Sequence, residues 1–214
     1  MDRQQWDERY GGTEFVWTSS PNQFLVSEVA GLPPGRAADL ACGEGRNAVW
    51  LADQGWQVTG VDFSPVGLAK GRRLAELANV EVAWVESAVT EWTPPPEGFD
   101  LVAVFYLQLP QPERSAALEV AASALAPGGT LLVVAHDHDN LTRGFGGPPN
   151  ADVLYSVTDV TDVAVAAGLT VQRADQVVRV VDTDLGPKEA IDTLVRAKRP
   201  ARSDATTSGL ANES

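Results

Sequence analysis

Five short stretches of this chain combine residue types and spacings that can do chemistry. The first is Asp39-Leu-Ala-Cys-Gly-Glu-Gly45, followed by Arg46-Asn47. Gly43 and Gly45 let the backbone pass close to a ligand, and the helix expected next offers its first amides to an anionic group. Taken alone, the same stretch is also a plain strand–helix turn. The second is Asp62, 23 residues after Asp39, whose carboxylate can accept both hydroxyls of a ribose or merely occupy a turn ahead of Ser64. The third, Glu86-Ser87-Ala88, places a carboxylate where the exocyclic amine of a purine can donate to it, or where water does. The fourth, Phe105-Tyr106-Leu-Gln-Leu-Pro110, can pack on a ring, floor a pocket, or belong to the core.

The fifth, His136-Asp137-His-Asp-Asn140, holds both histidines of the chain. His136 can act as a base or orient an acceptor there. The cluster is equally readable as a polar loop with no chemical role. His-x-His with carboxylates can bind a divalent ion, but nothing else in the sequence supports a metal, and none is expected.

These residues need elements to hold them. Arg36–Cys42 is a short apolar run ending at the glycine turn, and 47–54 reads as a helix stopped at Gly55. Gln57–Asp62 is a second strand; Ser64 and Pro65 cap and open a helix to about Ala78. Val80–Val85 and Phe99–Phe105 read as the third and fourth strands. Gln111–Leu125 reads as a helix ended by Ala126-Pro-Gly-Gly129, Thr130–Ala135 as a fifth strand and Val157–Ala167 as a helix. Two Val-rich stretches, Thr170–Val181 and Ala190–Ala197, flank Asp184-Leu-Gly-Pro187 as a terminal hairpin. Alternating strands and helices with buried strands predict a doubly wound, mostly parallel α/β sheet. Such sheets bind ligands beyond the carboxyl ends of their central strands, where all five stretches fall.

Composition narrows the partners. The 214 residues carry 29 acidic and 16 basic side chains, a formal net charge of −13, which repels nucleic acid and anionic membranes. The one basic cluster, Lys70 with Arg72-Arg73, reads as an ordinary exposed helix face. No apolar run approaches a membrane span of about 18 residues. The start, Met1 to Tyr10, lacks the basic-then-apolar shape of a signal peptide, and the single Cys42 excludes an internal disulfide framework. A cytoplasmic protein with a small-molecule partner is expected, with no nucleic acid and no membrane. Residues 200–214 have little to bury and are expected to form a disordered tail.

In their order and spacing these motifs resemble the class I S-adenosylmethionine-dependent methyltransferases, over roughly Trp6 to Arg199. Asp39–Gly45 is similar to that family's glycine-rich motif, Asp62-Phe63 to its ribose-binding position and Glu86-Ser87-Ala88 to its adenine-proximal position. Phe99–Phe105 resembles its fourth-strand motif, and Leu125–Leu131 its turn into the fifth strand. One departure is Ala41, where the family usually has its first glycine, so a tighter or shifted turn is expected. Trp6-Asp-Glu-Arg-Tyr10 with Trp17, then Gly43-Glu-Gly-Arg-Asn47, resemble the small-molecule branch related to thiopurine and tellurite-resistance methyltransferases. That likeness implies a helical cap, residues 1–32, closing over the cofactor, with Trp6, Tyr10 and Trp17 covering the sulfonium through cation–π contact or only anchoring a helix.

The resemblance therefore implies a seven-stranded Rossmann-like domain over 1–199, its last strand antiparallel, and S-adenosylmethionine as cofactor. The cofactor residues expected are Trp6, Tyr10, Trp17, Asp39, Ala41, Cys42, Gly43, Gly45, Asn47, Asp62, Phe63, Ser64, Glu86, Ser87, Ala88 and Phe105. On the acceptor side are Tyr106, Asp137, Arg143 and Tyr155, with His136 as base or substrate-orienting group. Methyl transfer is in line and needs a nucleophile held about 3–3.5 Å from the methyl; a hydroxyl or amine acceptor usually needs a base, a thiolate does not. The irregular segment Leu141–Asn150 is expected to be a mobile lid. A nicotinamide dehydrogenase is disfavoured, since the third glycine of its fingerprint would fall on Arg46. A non-catalytic domain that binds the adenosyl cofactor as a sensor or scaffold is the other reading.

Overall fold

The computed structural model describes residues 2–201 apart from Thr13 and Trp17. Trp17, and all of the tail expected over 200–214 from residue 202 onward, lie outside the described residues. Strands β1 (Arg36–Leu40), β2 (Gln57–Asp62), β3 (Val82–Glu86), β4 (Phe99–Phe105), β5 (Leu125–His136), β6 (Thr170–Val181) and β7 (Lys188–Lys198) form one sheet. Its order is β3-β2-β1-β4-β5-β7-β6. The first five strands pair in parallel, while β7 runs antiparallel to both β5 and β6. This is the doubly wound, mostly parallel sheet expected. The chain reverses its direction of winding between β1 and β4, which opens a crevice at their carboxyl ends.

Among the described residues seven α-helices accompany the sheet: α1 (Arg3–Tyr10), α2 (Gln23–Val29), α3 (Arg46–Asp53), α4 (Pro65–Ala78), α5 (Glu113–Ser123), α6 (Asn140–Arg143) and α7 (Val157–Ala166). Strand periodicity explains the two cores. Along β4, Val102 and Val104 face Leu118, Ala121 and Val160, while Leu101, Ala103 and Phe105 face Leu25 and Leu51. Each such Leu or Val, fully buried, stabilises the fold by about 1.5–3 kcal/mol. Ser64 caps α4 by accepting from the Gly67 amide at 3.0 Å, with Pro65 at the first turn as its ring geometry favours.

Three expectations are corrected. Ala126–Gly129 is not a turn between helix and strand: β5 already starts at Leu125, opposite Phe99, and the register shifts before Leu101 meets Thr130. Gly128, at φ 81°, and Gly129, where a Cβ would sit 2.5 Å from the Phe99 carbonyl, accommodate that irregularity. The helix expected over 111–125 is trimmed to α5, because its last residues join β5. The segment expected to be irregular starts with the one-turn helix α6, ahead of which the Asp137 carboxylate accepts the Asp139 amide at 2.9 Å.

The turn after β1 is held by close packing. A Cβ on Gly45, Gly60 or Gly71 would lie 2.5, 2.9 or 2.7 Å from the Trp84 indole, so one ring fixes α3, β2 and α4 against β3. Ala41 sits at φ 55°, the left-handed region that glycine occupies without strain. Ala41→Gly should therefore stabilise the protein by about 1 kcal/mol, and Gly45→Ala should destabilise it by about 2 kcal/mol or more. Denaturant unfolding of the two variants checks this; shifts of the same sign would contradict it.

Candidate functional site

The carboxyl ends of β1, β2, β4 and β5 open onto a cavity of about 560 Å³, within the range of small-molecule sites of ~300–1,000 Å³. Asp62, at the end of β2, organises its floor. Its two oxygens accept the amides of Gly43 and Ser64, each at 2.8 Å, tying the glycine turn to the start of α4. Burial pushes the Asp62 carboxyl up, against the pull of those amides. Asp39, at the end region of β1, is 1% exposed and also lines the cavity, yet neither of its oxygens has a hydrogen-bond partner among the described residues. Burial raises its pKa from 3.8 to about 7, with Arg46 pulling the other way. Burial likewise pushes the Cys42 thiol up, so it stays protonated and is no nucleophile.

The N-terminal segment closes one side. Trp6 and Tyr10 stack at 5.4 Å between ring centroids, and Asp7 bonds the Ser64 hydroxyl. The buried Glu44 accepts the Val16 amide at 3.0 Å and pairs with Lys70 at 2.9 Å; Lys70 also donates to the Glu14 carbonyl. Gly43 is required here, since a Cβ would approach the Tyr10 hydroxyl to 2.7 Å at φ 54°.

Another part of the lining is polar. Tyr106 follows β4 at φ 53°, an uncommon conformation for an aromatic residue. Its hydroxyl lies 2.8 Å from Asp192, and it accepts from Asn22 at 3.2 Å and Arg179 at 3.1 Å. Arg179 also donates to Asp192 at 3.0 Å. His136 Nδ1 lies 3.2 Å from the second Asp192 oxygen, an ion-pair approach whose angle falls short of a hydrogen bond. Burial pushes the Asp192 carboxyl up, but His136, Arg179 and Tyr106 outweigh it and hold the group below the usual carboxylate range. Burial pushes the Tyr106 phenol up, and Asp192 adds to that.

Of the cofactor residues expected from sequence, Trp6, Tyr10, Asp39, Ala41, Cys42, Gly43, Asn47, Asp62, Phe63 and Phe105 line this cavity, joined by Tyr106 and His136 from the acceptor side. Gly45 and Ser64 shape the turns behind it. Glu86, Ser87 and Ala88 are not among its lining residues: Glu86 is exposed and pairs with Arg3. Three acceptor-side residues also lie outside it. Tyr155 is 1% exposed and donates to the Leu107 carbonyl at 2.7 Å. Asp137 is buried and accepts from Gln176 at 2.8 Å and Thr193 at 2.6 Å. Arg143 pairs with Asp139 on the surface at 2.8 Å. Nor does Leu141–Asn150 line the cavity; Asn140 holds it by donating to the Gly146 carbonyl at 2.8 Å.

Sequence reasoning missed Asn22, Arg46, Arg179 and Asp192. A signal existed for Asp192, a carboxylate inside the apolar run Ala190-Ile-Asp-Thr-Leu-Val195, and for Arg179 among four valines. Among the described residues no group of three or more His, Cys, Asp or Glu converges as a metal set, and no helix is long and apolar enough to cross a membrane.

Residues 37–129 match a family model described as a methyltransferase domain. The demethylmenaquinone methyltransferase of Thermus thermophilus is 36% identical over 103 residues, 47% of each chain. The chain spans about half the length of the curated relatives it matches. Among solved structures, a protein from work on the conversion of a disulfide bond into a thioacetal group during echinomycin biosynthesis aligns with TM-score 0.75 at 22% identity, over 94% of both chains. TehB from Haemophilus influenzae aligns with TM-score 0.69 at 15% identity, over 92% of this chain and 66% of that one. These two likenesses show the fold.

The orphaned Asp39 makes a prediction about pH. Below about pH 4 its carboxyl is protonated in both folded and unfolded chains and has no effect. Between about 4 and 7 the unfolded chain gives up the proton while the folded one keeps it, so stability falls as pH rises and the loss is complete above 7. Asp39→Asn should therefore stabilise the protein more at pH 8 than at pH 4, measured by denaturant unfolding at both. An equal or reversed difference would contradict the burial of an unpartnered acid.

Proposed function

We propose that this chain, which belongs to the class I S-adenosylmethionine-dependent methyltransferase family, transfers the methyl group of that cofactor to a small-molecule acceptor. The observation that carries this is one cavity lined both by the glycine turn with Asp39 and Asp62 and by His136, Tyr106 and Arg179, which the buried Asp192 holds from behind. The family-model match and the methyltransferase relatives support the catalytic reading over a non-catalytic adenosyl-binding scaffold.

The residues present fit the cofactor. Asp39 offers two buried, unpartnered acceptor oxygens, which suit an ammonium group. Asp62, though held by two amides, keeps further lone pairs for ribose hydroxyls. Gly43 leaves the backbone bare beside them, and Trp6, Tyr10 and Phe15 wall the cavity and exclude water. When bound, S-adenosylmethionine supplies an electrophilic methyl on a sulfonium. Asp192 stays ionised and favours the Nδ1–H form of His136, which leaves Nε2 to take a proton from the acceptor. Tyr106, bonded to Asp192 and Arg179, keeps its own proton and acts as a fixed wall rather than a base. The high negative charge and single cysteine support a cytoplasmic setting without nucleic acid.

Calorimetric titration tests the reading. S-adenosylmethionine and S-adenosylhomocysteine should bind with micromolar affinity, Asp62→Ala should abolish binding, and NADH should not bind. Absence of adenosyl binding, or tight NADH binding, would refute it. For an acceptor that must lose a proton, His136→Gln should lower turnover by about 10²–10⁴-fold and leave S-adenosylhomocysteine affinity nearly unchanged. Wild-type turnover in that variant would remove His136 from the chemistry.

A further inference from the structure

Two guanidinium groups face the cavity, and neither is fully used by the fold. Arg46, at the start of α3, makes no hydrogen bond or ion pair among the described residues. Arg179, on β6, spends only its Nε, on Tyr106 and Asp192; its two terminal nitrogens have no partner among the described residues. The two are near enough that the charge of Arg179 adds to burial in lowering the pKa of Arg46, while Tyr106, Asp39 and Glu44 oppose the shift. Both stay charged, as arginine does in proteins.

A pair of half-buried like charges repel each other, and an anion between them removes that cost. The nearby carboxylates do not supply one. Glu44 is taken by Lys70 and the Val16 amide and Asp192 by Arg179, Tyr106 and His136, while Asp39 attracts Arg46 but forms no ion pair with it, its carboxyl pushed up by burial. Asp182, on the hairpin, is exposed. The cavity that the two arginines line is also walled by Phe15, Phe105, Leu107 and Leu109.

We propose that the methyl acceptor is a small carboxylate with an apolar body, its anionic group gripped by Arg46 and Arg179 beside His136. The proposal rests on the methyltransferase reading and names the acceptor class of that same site. Planar guanidinium forks match the two oxygens of a carboxylate in a way a single ammonium does not, and the hydrocarbon wall favours a carbon skeleton over an inorganic oxyanion. Two guanidiniums also draw charge from the carboxylate oxygens and make them poor nucleophiles. The carboxylate is the handle, and a second atom of the acceptor, within reach of His136, receives the methyl and gives its proton to the imidazole.

The test uses the full chain saturated with S-adenosylhomocysteine, titrated by calorimetry with benzoate and phenylacetate and with their neutral amides. The carboxylates should bind saturably and the amides about tenfold more weakly or worse. Arg46→Gln, which breaks no existing ion pair, should weaken carboxylate binding about tenfold or more. Arg179→Lys, which keeps the charge and loses the fork, should weaken it as well. In each variant S-adenosylhomocysteine affinity should change less than carboxylate affinity. Equal binding of acids and amides, or no carboxylate binding to the loaded protein, would overturn the proposal. So would Arg46→Gln weakening S-adenosylhomocysteine alone, which would assign Arg46 to the carboxylate of the cofactor tail. Failure of S-adenosylhomocysteine itself to bind appears before any acid is added, and would refute the methyltransferase reading and this proposal with it.

Discussion

One buried carboxylate holds the geometry together. Asp62 accepts the Gly43 amide with one oxygen and the Ser64 amide with the other. Through the first bond it sets the path of the turn after β1, and through the second it fixes the residue that caps α4. Each amide bond to a charged acceptor is worth about 1.5–3 kcal/mol, more than the strain that Ala41 carries at its positive φ. The turn therefore keeps its course despite the missing first glycine. Tyr10 and Asp7 of α1 then dock against Gly43 and Ser64, so the N-terminal helix takes its position from the same carboxylate.

The two ends of the cavity are built on opposite electrostatic terms. At the cofactor end, burial dominates: Asp39 and Asp62 are both pushed up, and Asp39 lacks a partner. Beside His136, neighbours dominate, and Asp192 is held below the usual carboxylate range by His136, Arg179 and Tyr106 despite its burial. This pairing of a buried, unpartnered acid with an ionised carboxylate beside a histidine is what the proposed methyl transfer from a cationic cofactor calls for.

Much of this was legible in chain order. Strand β4 matches its apolar run from Phe99 to Phe105, and β6 its Val-rich run from Thr170 to Val181, because buried strands carry their pattern locally. The residues singled out after β1, β2 and β4 line one cavity, where the winding rule puts a site. What keeps other expected residues out of the cavity is longer in range. Glu86 ends β3 as expected, but it is exposed and pairs with Arg3 of α1. Arg143 and Tyr155 looked reactive by type, yet one is bound within its own helical turn and the other turns into the core. Arg179 reaches the cavity, and Asp192 the back of Tyr106 and His136, only because the β6–β7 hairpin folds back beside β5, a placement no local pattern encodes.

The most direct test of the cofactor site is a crystal structure of the full chain with S-adenosylhomocysteine. The account predicts ribose hydroxyls on Asp62 and the ammonium of the amino-acid tail on Asp39, with the sulfur facing the His136 end of the cavity. A ligand seated elsewhere, or one that leaves the Asp39 oxygens without a partner, would contradict it.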